Sequence, residues 1–235
     1  MGVAGQTVVL TGAAQGLGAA IARAFAAEGA RLVLIDRDAD GLAALKAELG
    51  SEITAILADL SDGKATAQAL CALPATVDTL IHNAAILEPR PLEAETLESF
   101  RATLDVGIQA AFQLAQAVWQ GMRSAGGGAL VFVSSRSGIE GFVDESAYCA
   151  AKHALEGFSK CLAMEGAAHG IISATITPGH PMQTPMSERN YPPELKATWI
   201  APDRLAPAFL HIAATRDPAL SGRRLDAWAL SQEVN

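Results

Sequence analysis

An α/β fold, a doubly wound parallel sheet with helices on both faces, is predicted by two features of this 235-residue chain. Short runs of β-branched and aliphatic residues alternate with alanine-rich helical stretches, and the runs are apolar throughout, as strands buried on both faces must be. The first run, residues 7–10, leads through a glycine turn into a helix over Gly16–Ala27 that stops near Gly29. Residues 31–35 read as the second strand and Ala39–Leu49 as the second helix, ended by Gly50. Further strands are predicted at 53–58, Thr79–His82, 129–134 and Ile171–Thr177. Six prolines within residues 178–202 cannot continue a sheet, so that stretch reads as a loop, with 180–200 placed over the carboxyl ends of the strands where such folds bind ligands. No linker, repeat or low-complexity tract breaks the rhythm, and the length suits one domain spanning 1–235.

Seventeen basic residues against twenty-five acidic ones give a net charge of −8, which argues against the basic face a nucleic-acid surface needs. The expected partner is a small molecule or another copy of the chain. The apolar stretches are interrupted well before a membrane span, and the first strand begins too early to leave room for a signal peptide, so a cytoplasmic location is expected. Cys71, Cys149 and Cys161 are odd in number and lack metal-ligand spacing, which reads as free thiols in a reducing compartment and no metal.

Thr11-Gly12-Ala13-Ala14-Gln15-Gly16-Leu17-Gly18 sits between the first strand and the first helix. Glycines there permit a tight turn and close backbone approach, while the free N–H groups of the helix start attract a pyrophosphate. Asp36 ends the next strand eighteen residues after the last glycine, where a carboxylate can accept both adenosine ribose hydroxyls and repel a 2′-phosphate. NAD is therefore expected over NADP. Arg37 could stack on adenine or meet a phosphate, but Gln15 supplies no second basic group.

The spacing of these glycines resembles that of the short-chain dehydrogenase/reductase family, and other pieces follow in that family's order: Asp59-Leu60, Asn83-Ala84-Ala85, Ser135, Tyr148-Cys149-Ala150-Ala151-Lys152 and Pro178-Gly179. The resemblance implies a Rossmann-type sheet of about seven strands, the last drawn from 223–229. It places Asp59 and Leu60 beside the adenine, Asn83 and Ala84 along the middle of the cofactor, and the loop from Pro178 to Thr184 against the nicotinamide amide. It also suggests a homo-oligomer, a tetramer or dimer, built on the helices around Phe112, Trp119 and Phe158.

Tyr148 and Lys152 are four residues apart, which on a helix puts both on one face, one turn from each other. A nearby ammonium favours the phenolate and so lowers the phenol pKa, making proton exchange with an alcohol or carbonyl feasible. The family resemblance implies hydride transfer between NAD(H) and a secondary alcohol or ketone. In it Tyr148 moves the proton, Ser135 positions the substrate oxygen, and Lys152 holds the ribose while tuning Tyr148.

Two departures from the family pattern stand out. Gly107 replaces an asparagine that in the family supports a helix bend and a water linking the lysine to solvent, so turnover is expected to be retained but slowed. The segment Pro178-Gly179-His180-Pro181-Met182-Gln183-Thr184 carries one extra residue, and Pro181 has no N–H to give the nicotinamide amide, so Met182 is expected to make that contact. His82, His153, His169 and His211 read as structural, His180 as exposed or structural with the alternative of a substrate contact near the nicotinamide, and Trp228 as an interface residue or a wall of the pocket. Two competing readings remain: a dinucleotide-binding structural or regulatory protein with impaired catalysis, and an epimerase or dehydratase on the same fold.

Overall fold

The computed structural model describes residues 2–50 and 52–234. Seven strands, β1 (Thr7–Thr11), β2 (Arg31–Asp36), β3 (Ile53–Leu57), β4 (Thr79–His82), β5 (Gly128–Val133), β6 (Ile171–Thr177) and β7 (Arg224–Asp226), form one parallel sheet in the order β3-β2-β1-β4-β5-β6-β7. Side chains alternate across this sheet, and both faces are buried. Val8 and Leu10 pack with Phe25 of α1 (Gly16–Ala27) and Phe209 of a helix at Ala206–Thr215, while Val9 packs in the opposite cluster with Leu114, Met122 and Leu155. The apolar runs read from the sequence are thus explained by two cores sharing one sheet.

The strand order reverses between β1 and β4, because the chain leaves β1 toward β2 and β3 but later builds outward from β4 toward β7. The crossovers part there, leaving a crevice at the carboxyl ends of the strands. The remaining helices are α2 (Ala39–Leu49), α3 (Gly63–Cys71), α4 (Leu97–Leu104), α5 (Ala110–Ala125), α6 (Ser146–Gly166), α7 (Pro185–Asn190), α8 (Ala206–Thr215) and α9 (Ala227–Glu233). None of the described helices is long and apolar enough to cross a membrane.

Beyond one-residue shifts at the ends of β1, β2, β3 and β5, three features differ from the sequence reading. The helix that carries Phe112 and Trp119 has no separate start: α4 runs directly through a wide π turn, Asp105–Gln109, into α5, and the turn's Val106 carbonyl is satisfied by His82 Nε2 at 3.0 Å. The proline-rich stretch is not a bare loop. Thr184 accepts the Ser187 N–H at 3.0 Å and Pro185 follows at the first helical position, so the prolines there start short helical pieces. The last strand ends at Asp226, three residues earlier than expected, because that carboxylate accepts the Ala229 N–H at 2.9 Å and so caps α9.

Candidate active site

Of the residues the sequence offers for catalysis and cofactor binding, all but Gly18 and Gly179 line one crevice at this switch point. Gly18 lies beneath it, where a Cβ would fall 1.9 Å from the Gly12 carbonyl oxygen, so the turn can close on α1 only without a side chain. Gly179 backs onto Asp226. Thr11 pins the turn to the neighbouring strand: its Oγ1 accepts the N–H groups of Asn83 and Ala84 at 3.1 Å and donates to His82 Nδ1 at 3.0 Å. Asn83 Nδ2 donates in turn to the Gly12 carbonyl at 2.8 Å. At the start of α1 the backbone N–H groups of Gly16, Leu17 and Gly18 meet no acceptor among the described residues, and the first turn carries no acidic side chain. Such an end fits a pyrophosphate.

At the far end of the crevice Asp36 accepts the Ala14 N–H at 2.9 Å and the Asp38 N–H at 3.0 Å. These bonds fix the carboxylate at the mouth while leaving acceptor sites for hydroxyl groups. Arg37 lies 3.8 Å from Asp59 across the mouth, so its charge is already partly matched.

The reacting end gathers three elements. Ser135 follows β5 in an extended conformation, and its Oγ accepts the Ser137 N–H at 3.2 Å. Tyr148 and Lys152 lie one turn apart on α6, with Lys152 Nζ 5.4 Å from the Tyr148 ring centre and donating to the Val133 carbonyl at 2.6 Å. Lys152 is buried, and burial pulls its ammonium down to about 8 although Glu156 opposes the shift. The expected acidification of Tyr148 is not found. Burial pushes the phenol up, the Ser135 hydroxyl pulls the other way, and Tyr191 and Glu145 add to the upward push. The reason is burial: desolvation disfavours the phenolate and the nearby Tyr191 and Glu145 add to it, while Lys152 directs one N–H to the Val133 carbonyl. A phenol held in this way is a proton donor at neutral pH.

Gly107 and Ala151 bring the π turn and α6 into contact. A Cβ on Gly107 would fall 2.7 Å from that of Ala151, so an asparagine fits only if α6 retreats. Gly107→Asn is therefore expected to cost about 1–3 kcal/mol by overpacking and to slow turnover about tenfold, since Ala151 adjoins Lys152. Urea unfolding and steady-state rates check this, and relief of both defects by adding Ala151→Gly would tie them to this one contact. In the loop after β6, Met182 bridges to Ile200 through the Pro181 carbonyl and the Gln183 N–H, at 3.0 and 2.9 Å. That pattern leaves the Met182 N–H free of protein acceptors among the described residues and turned to the other side. His180 also lines the crevice and packs on Trp228, with ring centres 5.1 Å apart.

The stretch 180–200, expected from the sequence to cover the ligand crevice, does so with Arg189 and Tyr191. Glu145, which the sequence offers as a partner for a polar substrate or as a surface charge, lies near Tyr148 and accepts from Ser137 Oγ at 2.9 Å. Two groups at the site, Glu156 and Arg224, escaped the sequence reading; they stand behind Ser135 and Lys152. Only Glu156 carried a readable sign, its four-residue offset from Lys152.

A family profile described as short chain dehydrogenase matches residues 6–194. A D-threitol dehydrogenase of Mycolicibacterium smegmatis is 36% identical over 180 residues, 74% of this chain and 69% of that protein. A galactitol 2-dehydrogenase (L-tagatose-forming) of Cereibacter sphaeroides is 33% identical across 93% of this chain and 91% of its own length. Among solved structures, L-sorbose reductase from Gluconobacter frateurii, complexed with NADPH and L-sorbose, superposes with a TM-score of 0.85 at 26% identity, covering 96% of each chain.

Proposed function

The chain belongs to the short-chain dehydrogenase/reductase family, an NAD(P)-dependent oxidoreductase group that transfers hydride at a secondary alcohol or ketone, and we propose that this member prefers NAD and acts on polyols and ketoses. The observation that carries the reading is the meeting of Ser135, Tyr148 and Lys152 beside the glycine turn in a single crevice.

Bound NAD supplies the hydride acceptor of the oxidation at its nicotinamide ring. The residues do the rest. The amides of Gly16, Leu17 and Gly18 bind the pyrophosphate, with Gly12 and Gln15 bounding it. Asp36 takes the adenosine ribose, Asp59 and Leu60 border the adenine, and Asn83 and Ala84 line the middle. Pro178, Gly179, Met182 and Thr184 bound the nicotinamide side, and Met182 offers the amide contact through its free N–H. Ser135 orients the substrate oxygen, Tyr148 gives or takes its proton at the phenol oxygen, and Lys152 binds the nicotinamide ribose and lowers the cost of the phenolate. The polar wall of Glu145, Arg189 and Tyr191 favours a substrate bearing several hydroxyl groups, and the similarity to threitol and galactitol dehydrogenases and to L-sorbose reductase supports the same choice.

A panel of four- to six-carbon polyols and ketoses, followed by NAD(H) and NADP(H) absorbance, tests the reading. NADH formed stoichiometrically from a polyol is expected. Affinity for NADH without any net formation across the panel would favour a binding protein or an epimerase. Asp36→Ser is expected to raise the ratio of NADP to NAD kcat/KM about tenfold or more, because it removes the charge that repels a 2′-phosphate. An unchanged ratio would remove Asp36 from cofactor choice.

A further inference from the structure

Tyr148, Lys152 and Glu156 are spaced four residues apart along one face of α6, so the face that carries the phenol and the ammonium continues into a buried carboxylate. Burying a carboxylate costs several kcal/mol unless donors surround it. Glu156 has three, each from a different strand or the residue after it: Ser134 Oγ beyond β5 hydrogen-bonds Oε1, Thr175 Oγ1 of β6 donates to Oε2 at 2.7 Å, and Arg224 Nε of β7 donates to Oε1 at 3.2 Å. The same guanidinium reaches further. Its NH2 nitrogen donates to the carbonyl oxygen of Ser135 at 2.8 Å, so one planar fork spans the carboxylate and the backbone of the serine. Gly138 leaves room for the cluster, since a Cβ there would come within 2.6 Å of Ser134 Oγ and 3.1 Å of Glu156 Oε1.

A buried ion pair of this kind contributes little to stability compared with apolar packing of the same volume. Its placement is informative instead, because it ties together α6, β5, β6 and β7 at the point where Ser135 must face Tyr148. We propose that Glu156 and Arg224 are positioning residues, a clamp that fixes the Ser134–Ser135 turn against the Tyr148–Lys152 face and sets the charge of Lys152. The proposal rests on the reading of Ser135, Tyr148 and Lys152 as the reacting groups. The groups facing Lys152 are His82 from β4, the Val133 carbonyl from β5, Tyr148 and Glu156 from its own helix, and Arg224 of β7 acting through Glu156. His82 is wholly buried and neutral, so Glu156 is the group that sustains the ammonium.

Two variants perturb the clamp in opposite directions. Glu156→Gln keeps the shape and removes the negative charge, so Lys152 should lose its proton about one unit lower in pH. Arg224→Met keeps Glu156 and removes its counter-charge, so Lys152 should hold its proton to higher pH. Both loosen Ser135 and should lower kcat about ten- to a hundredfold, with NADH affinity at pH 7 within about twofold of the parent. The readout is the titration of Lys152 by NMR in protein carrying carbon-13 lysine, practicable because the chain has five lysines, together with kcat for the polyol and ketose panel. Opposite shifts of the Lys152 midpoint with reduced kcat in both variants support the clamp. Shifts in the same direction, or an unmoved midpoint, overturn its role in setting the charge, and an unchanged kcat overturns its role in positioning. Should Glu156→Gln fail to fold, Arg224→Met is read alone, an upward shift supporting and no shift overturning. A parent enzyme that turns over nothing in the panel would defeat the proposed function, while the lysine titration would still decide the clamp's effect on charge.

Discussion

Tyr148→Phe is expected to lower turnover about 10²- to 10⁴-fold while leaving NADH affinity and the unfolding midpoint nearly unchanged. The magnitude follows from losing a positioned proton donor while keeping the aromatic ring that α6 carries there. The pH dependence has a definite sign. Burial raises the phenol above its ordinary value, so the protein before it binds a dinucleotide holds Tyr148 protonated at neutral pH, the form that ketone reduction needs. Alcohol oxidation needs the phenolate, and is therefore expected to rise toward alkaline pH where reduction falls. Rates in both directions between pH 6 and 10, for parent and variant, check this. Turnover undiminished in Tyr148→Phe, or oxidation that declines steadily as pH rises from neutrality, would remove the phenol from the proton step.

The sheet, its parallel sense and the positions of its strands were legible in the sequence because strands buried on both faces have no polar alternation to hide them. The glycine turn, Asp36 and the pair Tyr148 and Lys152 stand out in the sequence because their spacings are short and local geometry constrains them, whereas Ser135 is indicated by the family resemblance alone. What the sequence concealed depends on tertiary placement. Nothing local says that Asp226 will cap a helix and cut β7 short, or that burial will outweigh the ammonium at Tyr148. Glu156 looks like an ordinary helix surface charge until β6 and β7 cover it, and Arg224 lies 68 residues away from it. Gly107 was visible as an absence, but only the 2.7 Å approach to Ala151 gives the reason: the two helical segments occupy the space an asparagine would take. His82 read correctly as structural, yet its part in joining the glycine turn to the π turn required both partners to be seen.

That histidine gives the second large effect, an acid sensitivity localised at one residue. His82 is fully buried, and burial, with Lys152 adding to it, holds its pKa down to about 3 against the opposing hydrogen bonds to the π turn. The carbonyl of Val106 can only accept, so Nε2 carries the proton and Nδ1 accepts from Thr11, a tautomer that leaves no room for a second proton. In the unfolded chain the same imidazole titrates near 6.5, so below that pH the unfolded state binds a proton that the folded state refuses. Folding stability is thus undiminished by this group above pH 6.5 and is lost progressively as pH falls toward 3, by about 3 kcal/mol between pH 7 and pH 4. His82→Gln keeps an N–H for the Val106 carbonyl and cannot titrate. At pH 7 the variant should be less stable by about 1–3 kcal/mol, for the lost Thr11 contact and imperfect packing. At pH 4 the gap should close or reverse. Urea unfolding of both proteins at pH 7 and pH 4, at one fixed protein concentration, measures the difference. Equal losses of stability in the two proteins on acidification would place the acid-sensitive group elsewhere, and the buried imidazole would then have to share its proton with a neighbour that the hydrogen-bond geometry does not provide.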